Sequence, residues 1–347
     1  MLRITPLTWR HRHAIAQLWA TQGVGYSRNP TLWWLADVVL RSVGLPLKLW
    51  AGLHVLSEEG QPVGLLQVKR DSWRHPRGRI DPLILSPEAS SVTMAKPLLA
   101  FAISHYGAKG LERLLLYLSA TDTEALALAK EGGFTKLTHF GRFEWPVASL
   151  CQYAQTHPMG LPQGTTLHEV ALQEMPQLAG LWHEATPSAF HTCLLPHAVD
   201  WWWHGVRQTW RKWWGYRWSR RWVVAGGTSS AQANRPPLAY IELQAPTAQQ
   251  PYAELTLRCS LGVPAEVQTS LLLVAAQHLA KGYPKATLRL QVWAWQAHLL
   301  EVTQALGGQW LGDTLVLEHT YWQRINTTQT NALRNPLLWL GTDSSPA

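Results

Sequence analysis

The feature that most constrains this chain is a pattern of predicted strands and helices that occurs twice in the same order. In each half a strand and two helices come first, three strands follow, and a helix, a strand, a helix and a strand complete the pattern. A Leu-Leu pair and a later Gly-Gly pair occupy matching places, at Leu98-Leu99 and Gly132-Gly133 and again at Leu271-Leu272 and Gly307-Gly308. This agreement in order and spacing indicates an internal duplication.

The predicted elements define the fold class. In the first half they are strands at 2–5, 52–57, 62–70, 77–85, 113–118 and 136–145, and helices at 8–21, 30–42, 92–106 and 122–131. In the second half they are strands at 165–170, 221–225, 238–243, 253–259, 286–292 and 314–321, and helices at 173–184, 197–214, 266–280 and 296–306. Antiparallel strands followed by alternating helices and strands predict a mixed α/β sheet covered by helices.

The chain length agrees with two domains. The chain has 347 residues, and one domain usually takes about 100–200. We therefore predict a first domain at 1–146, a linker at 147–164, a second domain at 165–322 and a C-terminal tail at 323–347.

The cysteine spacing indicates the cellular compartment of the protein, whereas its net charge does not identify a binding partner. Lys and Arg number 30 against 22 Asp and Glu, which suits a phosphorylated cofactor, a nucleic acid, a lipid surface or solubility alone. The three cysteines have no metal-ligand or paired spacing, so they are predicted to be free thiols in a reducing, cytoplasmic compartment. The most apolar stretch, at 32–56, contains charges and a proline, so no transmembrane helix is expected. Neither a Walker loop nor a Rossmann glycine pattern occurs.

Two segments of the first half carry a family resemblance. In one, Leu85 and Pro87 are followed at fixed spacing by Leu98-Leu99. In the other, at 122–134, the matching residues are Asp122, Ala125, Leu126, Leu128, Gly133 and Phe134. Without gaps, they are similar to the motifs V-x-P-x-x-R-G-x-G-x-G-x-x-L-L and N-x-x-A-I-x-L-Y-E-K-x-G-F of the GCN5-related N-acetyltransferase (GNAT) superfamily. The resemblance implies two tandem GNAT-like domains.

The resemblance also implies a function and a set of site residues. It implies an N-acyltransferase that uses acetyl-CoA, or another acyl-CoA, on a small-molecule or peptide amine. The implied cofactor-binding residues are Leu83, Ile84 and Leu85 on a strand, and Ser91, Val92, Thr93, Met94, Ala95 and Lys96 in the following loop. Helix N-termini favour a diphosphate because of their free N–H groups and their dipole.

One carboxylate stands where family members often deprotonate the amine. This is Asp81, six positions before the family proline. An acidic side chain on a water-lined strand can accept a proton from an ammonium. The other interpretation is a structural aspartate that precedes Pro82.

The departures from the family motifs support a second hypothesis. Ser90, Ser91, Thr93 and Ala95 stand at the family's arginine and glycine places, and Ala129 stands at the place of its proton-donating tyrosine, so the proton donor is unassigned. A catalytically inactive tandem protein that serves as a binding or scaffolding module is therefore the alternative. The second half departs further and is predicted to be a degenerate copy, with Glu254 roughly at the place of Asp81.

The segment from Trp201 to Trp222 is rich in both tryptophan and arginine. It is typical of an amphipathic helix with a Trp core face and a basic solvent face. An anionic surface contact, with lipid or with unpaired bases, is the other hypothesis.

Overall fold

The computed structural model of the chain describes residues 2–6, 52–70, 76–86, 91–157, 165–196, 200–201, 219–226, 237–246 and 251–321. The helices predicted at 8–21 and 30–42, most of the helix predicted at 197–214 and the tail at 323–347 lie outside these residues.

The described residues form a mixed α/β structure, as predicted. Its strands are β1 (Leu2–Pro6), β2 (Gly52–Glu58), β3 (Gln61–Arg70), β4 (Arg77–Leu85), β5 (Arg113–Ser119), β6 (Thr135–Pro146), β7 (Thr165–Glu169), β8 (Ser219–Gly226), β9 (Ala239–Gln244), β10 (Tyr252–Cys259), β11 (Thr287–Trp293) and β12 (Gln309–Thr320). Its helices are α1 (Ser91–Ala108), α2 (Thr123–Glu131), α3 (Val147–Thr156), α4 (Leu178–Ala185), α5 (His191–Leu194), α6 (Ala265–Ala280) and α7 (Ala297–Ala305). Short 3₁₀ helices at Leu172–Gln177 and Ser188–Phe190 precede α4 and α5.

Several segments differ from the predicted elements. Helix α5 was not predicted, and β12 begins at Gln309 rather than at residue 314. The helix predicted at 173–184 begins as the 3₁₀ helix and becomes α-helical only from Leu178. Pro176 lies at this change, and a proline has no amide hydrogen for an α-helical bond. In the region predicted as a linker, Val147–Thr156 form helix α3, with Val147 and Leu150 buried.

Glycines follow the last helix of each repeat, as the Gly-Gly pairs predicted. Asp122 begins α2 and accepts a hydrogen bond from the Ala125 amide. The chain leaves α2 at Gly132 and passes through Gly133 at φ 78°, and it leaves α7 through Gly307 at φ 67°. These left-handed conformations favour glycine, so the same residue type stops both helices.

All described strands belong to one sheet. Its order is β1-β2-β3-β4-β5-β12-β6-β11-β10-β9-β8-β7. Strands β4 and β5 are parallel, as are β10 and β11, and the other neighbouring pairs are antiparallel. Each parallel pair therefore lies within one sequence repeat and is flanked by antiparallel strands.

The two repeats exchange their last strands. Strand β12 from the second half pairs with β5 from the first, from Thr314↔Ser119 to Thr320↔Arg113. Strand β6 from the first half pairs with β11 from the second, from Thr287↔Pro146 to Trp293↔Phe140. Because β6 and β12 also pair with each other, the two repeats share a continuous central sheet.

The strand exchange mixes the hydrophobic cores. One core packs between the sheet and helices α1 and α2, and it includes Leu317 from the second half. The other packs against α6 and includes four residues from the first half: Phe143, Trp145, Val147 and Leu150. Each core therefore depends on side chains from both repeats.

Within the described residues, no helix combines the length and apolar character needed to cross a bilayer. The same part of the chain contains no cluster of three or more His, Cys, Asp or Glu side chains that could hold a metal ion. Cys151, Cys193 and Cys259 are free thiols, as predicted.

Candidate active site

The parallel strands β4 and β5 separate part of the way along their length. Their pairing runs from Arg77↔Arg113 to Ile80↔Leu116 and ends there, although β4 continues to Leu85 and β5 to Ser119. Beyond Ile80, the edge of β4 that faces β5 has no paired strand among the described residues. A V-shaped gap therefore opens between the two strands.

A β-bulge lies at the point where the strands separate. The register between β3 and β4 shifts between Leu66↔Leu83 and Val68↔Ile80, so Asp81 and Pro82 occupy the irregular stretch. Bulges re-aim side chains and are common beside active sites. After the bulge Leu83 and Leu85 pack against the core under α1, and Ile84 packs on the opposite face with Val55 and Leu65.

A cavity of about 850 Å³ occupies the gap between β4 and β5. On the side of helices α1 and α2 its wall is mainly apolar, formed by Leu83, Leu85, Ala95, Leu99, Leu116, Leu118, Ala125 and Leu128. Towards the opposite face of the sheet its wall is polar and aromatic, formed by Arg79, Asp81, Tyr117, Phe140, Arg142, Glu254 and Gln291. We call these the apolar wall and the polar wall.

Of the nine predicted cofactor-binding residues, Leu83, Leu85 and Ala95 line the cavity, whereas Ile84 packs on the opposite face of the sheet. Residues 91–96 belong to helix α1, where Ala95 lines the cavity. Thr93 is exposed and Met94 is half-buried against the first core. Lys96 is exposed and donates a hydrogen bond to Glu131 on α2, at 3.0 Å. The helix predicted at 92–106 is confirmed, whereas the loop that the family match placed at 91–96 was wrong, because the helix begins at Ser91.

Asp81 lies in the polar wall with its carboxylate held by two cations. Its Oδ2 atom accepts a hydrogen bond from Lys69 Nζ at 2.9 Å and lies 3.2 Å from Arg79 Nη2. The Arg79 guanidinium also lies 5.5 Å from the centre of the Tyr117 ring. The first unpaired residues of β4 and β5, Asp81 and Tyr117, thus face the same cavity.

The polar wall continues across the exchanged strands. The Tyr117 ring lies 6.3 Å from the Phe140 ring, and the Arg142 guanidinium lies 5.7 Å from the centre of the same Phe140 ring. Arg142 on β6 stands directly opposite Gln291 on β11. Sequence reasoning missed Tyr117, Arg142 and Gln291 as site residues, because no local motif indicates that β6 and β11 adjoin.

In the second half, a cluster of large side chains lies beyond the end of the corresponding parallel pairing. Pairing of β10 with β11 ends at Leu255↔Leu290, just as pairing of β4 with β5 ends at Ile80↔Leu116. Beyond it the Arg258 guanidinium lies 5.8 Å from the Trp182 ring and 5.5 Å from the Trp293 ring. It donates a hydrogen bond at 3.0 Å to Gln296, the residue before α7.

Arg258 is also desolvated at this position. Burial lowers the pKa of Arg258 to about 10, since removal from water disfavours the charged form. Contacts with two indole rings and a hydrogen bond to the residue before α7 hold this guanidinium beside the end of the β10–β11 pairing. The strand registers also correct the sequence-based comparison of Glu254 with Asp81. Asp81 is the residue after the last paired position of β4, and the corresponding residue of β10 is Thr256.

The Trp/Arg-rich segment at 201–222 is described only at its two ends. Trp201 is buried beside Trp182 and Tyr240, and Trp222 is buried in the second core. Arg221 pairs with Glu242 at 3.4 Å within the sheet. The last four residues of the segment belong to strand β8, so one helix does not cover the whole segment. Residues 202–218 lie outside the described part of the chain.

Comparison with known proteins identifies the fold. No protein-family model and no curated protein matches the sequence. Among solved structures, a tandem GNAT protein from the clavulanic acid biosynthesis pathway, solved without acetyl-CoA, is similar at a TM-score of 0.64 and 15% identity, over 93% of this chain and 99% of that chain.

Two bacterial GNAT structures are also similar. The Sphaerobacter thermophilus protein matches at a TM-score of 0.55 and 15% identity, over 92% of this chain and 95% of that one. The Anabaena variabilis protein matches at a TM-score of 0.52 and 14% identity, over 92% of this chain and 73% of that one. At such low identity these matches establish the fold, and they confirm the fold that was predicted from the sequence motifs.

Proposed function

We propose, from the premise that this chain has the tandem fold of the GCN5-related N-acetyltransferases, that it is an acyl-CoA-dependent N-acyltransferase. The observation that carries the proposal is the cavity in the gap between β4 and β5. The cavity joins an apolar wall beside a helix N-terminus to a polar wall that contains a carboxylate, and a transferase needs both kinds of surface.

The residues of the first repeat fit an acyl-CoA. The unpaired edge of β4 at Leu83 and Leu85 offers backbone groups to the peptide-like pantetheine arm. The N-terminus of the long helix α1, at residues 91–96, suits the diphosphate, since helix N-termini bind anions.

The missing family glycines do not introduce backbone strain at the described positions. Glu59 is the one non-glycine residue with positive φ in the described part of the chain. Ser91, Thr93 and Ala95 are helical instead, and a helical conformation is open to any of these residue types. The substitutions are therefore compatible with a folded first turn beside the cavity.

The proposed chemistry is transfer of an acyl group from a thioester to an amine. The cofactor supplies an activated acyl group. We assign to Asp81 the acceptance of a proton from the attacking amine, and Lys69 and Arg79 hold its carboxylate in place. Tyr117 carries the one phenol among the residues that line the cavity, and we assign to it proton donation to the leaving thiolate.

Binding of acetyl-CoA, measured by titration calorimetry, is the first test. We expect the wild-type chain to bind it and Ala125→Trp to lose binding, because Ala125 lines the apolar wall and an indole there would fill the gap. The matched control is Ala127→Trp, two residues along the same helix on its exposed side. Absence of binding by the wild type at millimolar acetyl-CoA would remove the cofactor from the proposal.

Replacement of Asp81 tests the catalytic role. We expect Asp81→Asn to lower the rate of thiol release from acetyl-CoA, in the presence of a panel of amines, by roughly 10²–10⁴-fold. Affinity for acetyl-CoA should stay unchanged, since Asp81 lies in the polar wall. Asp313→Asn, a carboxylate outside the cavity that accepts a bond from Trp310, is the control. A wild type that binds acetyl-CoA but never releases thiol would favour the inactive binding module instead.

A further inference from the structure

Two histidine side chains of the second repeat contact each other where helix α4 ends. His183 lies in the last turn of α4, and His191 begins α5. Their Nδ1 atoms lie 3.3 Å apart, and the planes of the two rings are almost perpendicular, at 85°. His183 is exposed and His191 is half-buried, so the pair is open to solvent.

A backbone carbonyl determines which ring nitrogen of His191 carries the proton. The Nε2 atom of His191 lies 2.8 Å from the carbonyl oxygen of Thr186. A carbonyl oxygen only accepts hydrogen bonds, so Nε2 carries the hydrogen and donates it. In the neutral ring Nδ1 therefore has a lone pair, and this atom faces His183. Metal-binding histidines are usually held in this way, with the other ring nitrogen donating to a carbonyl or a carboxylate.

The separation of the two Nδ1 atoms suits a metal ion as well as a hydrogen bond. Two nitrogens that each bind a tetrahedral zinc ion at about 2.0–2.1 Å lie about 3.3–3.4 Å from each other. The observed separation is 3.3 Å. A zinc ion can therefore replace the proton between the two nitrogens with little movement of either ring, while His183 keeps a hydrogen on Nε2.

Trp295, in the turn before α7, holds both sides of the loop between the two histidines. Its indole N–H donates to the Ala185 carbonyl at 3.1 Å, and its ring stacks on the Phe190 ring with the centres 5.0 Å apart. Ala185 and Thr186 are themselves buried. The two imidazoles are thus positioned before any ligand arrives, which lowers the entropic cost of binding.

The segment that follows His191 connects the second repeat to the first. The Cys193 sulfur accepts a hydrogen bond from Arg113 on β5 at 2.7 Å, and the Leu195 carbonyl accepts one from the buried Arg77 on β4 at 3.4 Å. Arg77 and Arg113 are the first paired residues of the two parallel strands. An ion that fixes His191 to α4 would therefore also fix this contact between the repeats.

We infer that His183 and His191 form a binding site for a divalent transition-metal ion, and zinc fits the geometry best. Imidazole is a preferred ligand of zinc, copper and nickel, whereas magnesium and calcium prefer oxygen. Two protein ligands are fewer than the three of most catalytic zinc sites, so the ion is exchangeable and keeps positions for water. Neither histidine lines the cavity between β4 and β5, so the metal site does not depend on the proposed acyltransferase function.

Titration calorimetry of the metal-free full chain with zinc chloride is the test. We expect one zinc ion to bind per chain at micromolar free zinc, and magnesium chloride to give no comparable binding. His183→Asn is the deciding variant, because its amide nitrogen can take the place of Nδ1 and donate to His191 but has no lone pair for a metal. We expect this variant to bind zinc about tenfold more weakly or worse, since one of two ligands is lost.

His191→Gln removes the other ligand. The amide N–H₂ of glutamine can take the place of Nε2–H and keep the hydrogen bond to the Thr186 carbonyl, while the Nδ1 lone pair is lost. We expect the same loss of zinc affinity. The control is His298→Asn, at an exposed histidine on α7 beside Glu301, and it should bind zinc as the wild type does.

Thermal unfolding shows whether the ion acts on the folded chain. Zinc should raise the midpoint of unfolding of the wild type and leave that of His183→Asn unchanged, and the curves without metal show that each variant is folded. No zinc binding by the wild type at submillimolar concentration would overturn the inference. So would equal zinc affinity in the wild type, His183→Asn and His191→Gln, because the ion would then be bound by other histidines.

Discussion

Residues 1–157 expressed alone will not fold cooperatively, because the first repeat depends on the second for strand pairing and for its core. Without β12, strand β5 loses the partner that covers it from Arg113 to Ser119. Without the second core, Phe143 and Trp145 on β6 become exposed, together with Val147 and Leu150. Each exposed side chain costs roughly 1.5–3 kcal/mol, and a whole domain is stable by only about 5–15 kcal/mol.

Fragment complementation measures this effect. Circular dichroism of the fragment during urea unfolding should show no cooperative transition. Residues 158–347 alone should behave similarly, since β11 loses β6. The two fragments expressed together should form a one-to-one complex that unfolds in a single transition. A fragment 1–157 that is monomeric and unfolds cooperatively would contradict the interdependence of the two repeats.

The second prediction concerns Trp145, and we expect Trp145→Ala to lower the free energy of unfolding by about 3–5 kcal/mol. Trp145 is 1% exposed and its indole N–H donates to the Leu306 carbonyl at 3.2 Å. Gly308 packs against the ring so closely that a Cβ there would lie 2.6 Å from Trp145 Cζ2. The substitution would therefore leave a large cavity and an unpaired Leu306 carbonyl, and both lower the stability of the fold. Urea unfolding measures the resulting change in the free energy of unfolding.

The control for Trp145→Ala is a tryptophan on the other exchanged strand. Trp310 on β12 is 58% exposed, so Trp310→Ala should change the free energy of unfolding by no more than about 0.5 kcal/mol. Equal effects of the two substitutions would show that β6 does not enter the second core. A loss at Trp145 confined to one half of a biphasic unfolding curve would mean that the repeats unfold separately.

The two strand gaps have different contents, and this suits a protein with one reaction site. The gap in the first repeat holds the cavity with Asp81 and Tyr117. Beyond the end of pairing in the second, Arg258 contacts two indole rings and donates a hydrogen bond to Gln296. The second repeat instead contributes Gln291 and Glu254 to the cavity of the first, so its departures from the family motifs are compatible with a supporting role.

Much of the local structure could be predicted from the sequence. The strand at Arg77–Leu85 has the predicted bounds, and helices α2 and α7 end at the predicted glycine pairs. These features depend on contacts between residues close in the chain: apolar periodicity, a capping Asp122 and glycines that adopt positive φ. The family motifs are local in the same sense, which is why they indicated the fold.

The partners of β6 and β12 could not be predicted in this way. An antiparallel strand of alternating apolar and polar residues satisfies its backbone against any suitable neighbour, so its sequence does not say which repeat it joins. The early positions of helix α1 received two predictions, a helix from residue 92 by the local pattern and a loop at 91–96 by the family match, and the local pattern was correct.

By itself the sequence determined the duplicated order of strands and helices, the helix ends and the two motifs, since each depends on neighbouring residues in the chain. Only the tertiary structure decided that the repeats exchange strands, that Arg142 and Gln291 line one wall, and that Arg258 contacts the rings of Trp182 and Trp293. The physical reason is that strand pairing and side-chain packing join residues far apart in the chain, and many such pairings satisfy the same local pattern.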